Sequence, residues 1–205
     1  MHEIAPGLHH WTTTHERWGI DVSSYLLAPE GVVIDPRVPE SGIESVAALA
    51  TPSALLLTNR HHYRHADAFV TRFGARVWCN SAGLHELPAH APVTPFAPGD
   101  ILPGHVVALG VGAICPDETA LFAPRYRAVA LADCAVRMPS DGPLGFVPDV
   151  LMDDPPATKA AIVAALGHLL DLDFDHLLLA HGDPIVGDGK RALATFLAAN
   201  GAPDA

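Results

Sequence analysis

The chain has 205 residues, 49% of them apolar, enough to bury one substantial core and read here as a single domain over 1–205. Its 23 acidic against 12 basic residues give a formal charge of −11, which repels a phosphate backbone and argues against nucleic acid as a partner. Three widely spaced cysteines (Cys79, Cys115, Cys134), no basic-then-apolar leader in MHEIAPGLHHW and no long apolar run predict an unprocessed cytoplasmic protein without disulfides or membrane partner.

In chain order, SSYLLAPEGVVIDPR holds two strand-like runs, YLLA and GVVID, joined by a Pro-Glu-Gly turn, which predicts a hairpin. SGIESVAALA follows with Ser41 at a helix cap and Ile43, Val46, Ala47 and Leu49 at near-helical spacing. SALLLT is a continuous apolar run suited to a strand covered on both faces. HADAFVTRFG reads as a helix stopped by Gly74, and ARVWCN as the next strand. From about Leu87 to Gly112 proline and glycine break the chain into short β pieces such as HVVAL, and TALFAP and RAVALAD are two further strands. PATKAAIVAALGHLLDL carries Ile162, Leu166 and Leu169 at helical steps, followed by the strand HLLLA and a last helix, KRALATFLAA. This order predicts one α/β domain with two similar halves.

Three apolar strands end in residues with chemistry. LLLTNRHHYRHADAF ends one strand with His61, His62 and His65, RAVALADCAV places Asp133 after another, and HLLLAHGDPIVG places His181 after a third, beside Gly182. In α/β sheets ligands gather at the carboxyl ends of strands. Two imidazoles and a carboxylate are a workable ligand set for a catalytic Zn or Fe ion, which takes about three protein ligands. The alternative is a solvated turn in a chain of 13 histidines. His15 is a weaker candidate, His85, His90, His105, His168 and His176 are read as incidental, and Cys115 and Cys134 as packing residues.

The opening APGLHHW, the VIDPR hairpin end, the TNRHHYRH segment, ALADCAV and the closing LLLAHGDP together resemble the metallo-β-lactamase-fold hydrolases, over nearly the whole chain. That resemblance implies a four-layer αββα sandwich of two mixed β-sheets with one or two metals at one sheet edge. Laid on Thr58, the family's T-H-x-H-x-D-H motif puts Asn59, His61, Tyr63 and Arg64 at its four ligand positions, so only His61 survives. The family's P-G-H-T-x-G-S-x-x-L segment falls on GAICPDETAL and puts Ile114 at the next histidine. Asp133 and His181 match the bridging carboxylate and the last histidine, and Asp35 a supporting acid. The resemblance therefore implies a degenerate site with metal ligands His61, Asp133 and His181, of which His61 and Asp133 would be catalytic.

Arg64 would place a fixed positive charge where a second cation should sit, so at most one Zn or Fe ion is expected, and none is as compatible with the ligand count. His62, His65 or His15 can be recruited by a rearranged loop. Asn59, Tyr63 and Arg64 are candidate substrate-binding residues. Arg60 and Arg64 with His61 and His181 can grip a small anion, whereas a salt bridge from Arg64 to Asp133 or Asp35 is the structural alternative. Two functions remain at this level: a hydrolase of a small ester or thioester, and a metal-free member of the fold that binds a small anion or a protein partner.

Overall fold

The computed structural model describes residues 1–201. Strands β1 (His2–Ala5), β2 (Leu8–Thr14), β3 (Asp21–Leu27) and β4 (Val32–Ile34) run as an antiparallel meander. The Pro-Glu-Gly turn closes β3 onto β4, with Gly31 left-handed at φ 62°. Then β5 (Ala54–Leu56), β6 (Arg76–Asn80) and β7 (Val93–Phe96) add in parallel, completing a seven-stranded sheet in sequential order. The crossovers carry α1 (Glu44–Ala47) and α2 (Ala66–Phe73), the latter ended by Gly74 at φ 68°.

The second sheet contains β8 (Ile101–Leu102), β9 (Val106–Gly110), β10 (Thr119–Ala123) and β11 (Ala128–Leu131), all antiparallel neighbours. A small ribbon, β12 (Val136–Arg137) with β13 (Leu144–Gly145), precedes α3 (Pro155–Gly167), whose first turn is capped by the Asp154 carboxylate accepting from Ala157 N. Strand β14 (His176–Leu179) returns parallel to β11 at the sheet edge, and α4 (Gly189–Ala199) closes the fold.

Side-chain alternation along these strands builds the layers. Val32, Ile34, Ala54 and Leu56 face one way and meet Ala128, Ala130, Leu121 and Leu178 of the other sheet in a core between the sheets. Val33, Leu55 and Leu57 face the other way and pack on Val46 and Phe69 beneath α1 and α2. Val129, Leu131, Leu177 and Leu179 pack on Ile162, Leu166, Leu193 and Phe196 of α3 and α4. The result is the expected αββα sandwich. Helix α1 is a single turn, shorter than the spacing in SGIESVAALA predicts, because Val46 is buried and Ile43 packs partly against the same core while Leu49 stays exposed. Among the described residues no helix is long and apolar enough to cross a membrane, and the three cysteines are buried and unpaired.

At one edge the two sheets are stitched together by polar bonds. Tyr25 Oη donates to Leu179 O at 2.8 Å and accepts from Leu179 N at 2.9 Å. Ser23 N donates to Ala180 O at 2.9 Å, and Thr119 N to Thr58 O at 2.8 Å. The strand ends carrying Asp35, Thr58, Asp133 and His181 meet along this seam.

Candidate metal centre

Asp35 follows β4 and turns the chain with φ at 51°, a conformation that favours glycine and that Asp tolerates better than most residues. Its buried carboxylate accepts from Thr58 N at 2.9 Å and Thr58 Oγ1 at 2.7 Å. Thr58 lies two residues past β5, and residues Arg60–Tyr63 then form a 3-10 turn in which His62 N donates to Asn59 O at 3.1 Å. Asn59 enters the turn from extended backbone and His62 leaves the helical region at φ −91° and ψ 18°, and both side chains reach Asp133. His61 projects outward and is exposed.

That geometry corrects the position expected from the motif: His62, not His61, joins Asp133 and His181. His62 Nε2 lies 3.5 Å from Asp133 Oδ1, and His181 Nε2 lies 3.1 Å from the same oxygen. One ligand atom from each of the three residues lies within 4.8 Å of the others. Atoms bound at about 2.1 Å around a tetrahedral ion sit roughly 3.4 Å apart, so these donors need only small adjustments to hold one ion. The supporting contacts fit as well. His62 Nδ1 faces Asp35 Oδ2 at 3.0 Å and Thr58 Oγ1 at 2.8 Å, which fixes the ring and leaves Nε2 toward the cluster. Asn59 Nδ2 donates to Asp133 Oδ2 at 2.8 Å, leaving Oδ1 free to face the histidines.

Without an ion the same atoms form a charge cluster. Burial and the Arg64 charge pull the His62 pKa down, but Asp35 and Asp133 outweigh them and raise it to about 9. Burial alone would raise Asp133, yet His62 and His181 hold it well below the ordinary carboxylate range. At neutral pH a protonated His62 therefore bridges two carboxylates, and an arriving cation must displace that proton.

Arg64 sits beside this cluster on a strained backbone, φ 45° and ψ −112°. Its Nη1 donates to Ser23 O at 2.7 Å and to Asp35 O at 3.4 Å, both backbone carbonyls. The alternative expectation, a salt bridge to the Asp133 or Asp35 carboxylate, is not what forms. Tyr63 is not brought to the site: its hydroxyl donates to Asp67 Oδ1 at 2.5 Å on the exposed side. Arg60 turns away to ion-pair with Asp117 and with Glu86 at 2.9 Å. His65 receives Val38 N at Nδ1 and pairs with Glu16 at 3.0 Å. Ile114 packs partly buried against the outer core, and its N–H donates to Glu118 Oε2 at 3.3 Å.

Three contributors escaped the sequence reading. Ser23 spans His181, with its N–H on Ala180 O and its hydroxyl donating to Gly182 O at 3.1 Å. His10, buried, places Nε2 at 2.9 Å from that hydroxyl. Buried Glu118 accepts from Cys134 N at 2.7 Å and so holds the backbone next to Asp133. Burial and the Asp133 charge raise its pKa to about 7. A carboxylate in the otherwise apolar TALFA segment's approach was the available signal for Glu118, while nothing in SSYLL marks Ser23 as near His181.

Solved structures share this architecture at low sequence identity. The metallo-beta-lactamase from Pontibacter korlensis superposes with a TM-score of 0.70 at 14% identity, covering 96% of this chain and 97% of that one. A metallo-beta-lactamase family protein from Thermus thermophilus matches with a TM-score of 0.64 at 17% identity, over 93% and 78% of the two chains. A third protein, solved in a di-iron-bound form, matches with a TM-score of 0.65 at 21% identity, over 88% and 96%. No protein-family model matches the sequence. No curated protein matches it either. The chain has the metallo-β-lactamase fold.

Proposed function

We propose that this protein is a metal-dependent hydrolase of a small ester or thioester, working with one ion held by His62, Asp133 and His181. The observation that carries the reading is the convergence of two imidazole nitrogens and one carboxylate oxygen at the strand-end edge, with the His62 ring held by Asp35 and the Asp133 carboxylate by Asn59. Zinc or ferrous iron suits this donor set. Bound there, such an ion supplies Lewis acidity, which acidifies water and polarises a carbonyl. The chain's own residues set the rest: Asp35 and Thr58 hold the His62 ring, Asn59 and Glu118 orient Asp133, and Ser23 fixes the backbone on both sides of His181.

A second metal is disfavoured by the same residues. Tyr63 faces Asp67, and the Arg64 guanidinium lies beside the cluster. The test is metal analysis of protein purified without added metal, with anomalous scattering on crystals soaked in zinc or manganese. One ion on His62, Asp133 and His181 is expected. Two fully occupied ions about 3.5–4 Å apart would replace this reading with a binuclear hydrolase. The second reading, a metal-free member of the fold that binds an anion or protein partner, draws on the charge-balanced cluster around protonated His62. Protein that takes up no metal on soaking would select it.

A further inference from the structure

Three arginines turn inward near this edge, and two have obvious work. Arg37 pairs bidentately with Glu16, its Nη1 and Nη2 at 2.9 and 2.8 Å, and Arg60 pairs with Asp117 and Glu86. Arg64 pairs with no carboxylate. Its Nη1 is spent on the carbonyls of Ser23 and Asp35, and its Nη2 is buried without a hydrogen-bond partner. A guanidinium held by neutral carbonyls on one edge, with a buried donor left over, is arranged to receive an oxyanion.

The position relates that donor to the metal cluster. The Ser23 carbonyl that anchors Arg64 belongs to the residue whose N–H and hydroxyl grip Ala180 and Gly182 on either side of His181. Asp35, the other anchor, carries on its side chain the bond that orients His62. Arg64 is thus tied by one bond each to the supports of two candidate ligands.

We infer that Arg64 is the specificity residue of this site, binding a small oxyanion so that the substrate is an ester or thioester carrying a carboxylate or phosphate group. Assigning that anion to a substrate rests on the hydrolase reading; the binding itself does not, and it is measured without metal. Sodium acetate and inorganic phosphate are titrated in the millimolar range into metal-free, chelator-free protein at constant ionic strength, with chloride as reference. The readouts are the nitrogen NMR signal of the Arg64 guanidinium and the Tm. A saturable shift of that signal and a rise in Tm are expected, with Arg64→Gln weakening the anion about tenfold or more and Arg64→Lys restoring part of it. Tighter acetate identifies a carboxylate-bearing substrate, and tighter phosphate a phosphate-bearing one. An Arg64 signal indifferent to both ions, or equal affinities in wild type and Arg64→Gln, overturns the inference. Should Arg64→Gln not fold, the wild-type signal alone decides.

Discussion

Replacing His62 with Ala removes the one side chain that touches both the buried Asp35 and the half-buried Asp133. Asp35 keeps its two bonds from Thr58, and Asp133 keeps Asn59 and His181, but Asp35 loses the imidazolium at 3.0 Å and Asp133 the one at 3.5 Å. Removing one partner of a buried ion pair costs about 3–5 kcal/mol. The pKa gives a second route to the magnitude: His62 stands at about 9 in the folded protein against 6.5 unfolded, and at 1.36 kcal/mol per unit this is about 3 kcal/mol. In a chain of this size that corresponds to a fall in Tm of roughly 10 °C. The sign follows from the raised value: the contribution is complete below pH 6.5 and is lost as pH rises through 9. Chemical denaturation of metal-free wild type, His62→Ala and His61→Ala between pH 6 and 10 measures it. His61→Ala, on an exposed side chain, should stay within about 0.5 kcal/mol of wild type. If His61→Ala were the more damaging variant, or if the gap between wild type and His62→Ala failed to narrow toward pH 10, the register of the 3-10 turn would be wrong.

Other outcomes follow from the same contacts. Leu178→Ala, in the core between the sheets, should cost about 2–5 kcal/mol, and His181→Ala less, since His181 lies at the rim; melting temperatures in the opposite order would reverse the core and rim assignments. Glu118, raised to about 7 against 4.5 unfolded, makes the folded state lose stability as pH climbs from 4.5 through 7, and Glu118→Gln should flatten that slope in denaturant titrations. Gly182→Ala should be strongly destabilising, because φ is 96° and the added Cβ would stand 2.6 Å from Arg137 Cβ and from its carbonyl oxygen; a Tm equal to wild type would contradict the loop geometry next to His181.

The layer order was readable because burial writes itself into alternation. Leu55 and Leu57 go to one core and Leu56 to another, so LLL had to be a strand covered on both faces. Asp133 and His181 were equally legible, since each is the first chemical group after an apolar run. His62 was hidden by its neighbour: two adjacent histidines fit either register, and only the 3-10 turn, set by the bond from His62 N to Asn59 O, decides between them. Arg64 was legible as a charge near the site but not as a donor, because its partners are backbone carbonyls of residues 41 and 29 positions away. Contacts with carbonyls leave no trace in side-chain identity.

The seam between the sheets has a consequence for how the site comes into being. Asp35, Thr58 and His62 belong to the first half of the chain and Asp133 and His181 to the second, joined across Tyr25 with Leu179, Ser23 with Ala180 and Thr58 with Thr119. Neither half carries the whole donor set, so under the one-ion reading proposed above the site is complete only once β14 has docked beside β11. On that reading an ion would act as a clasp between the two halves, and hydrogen exchange in β3 and β14, far apart in sequence, should slow together when zinc is added.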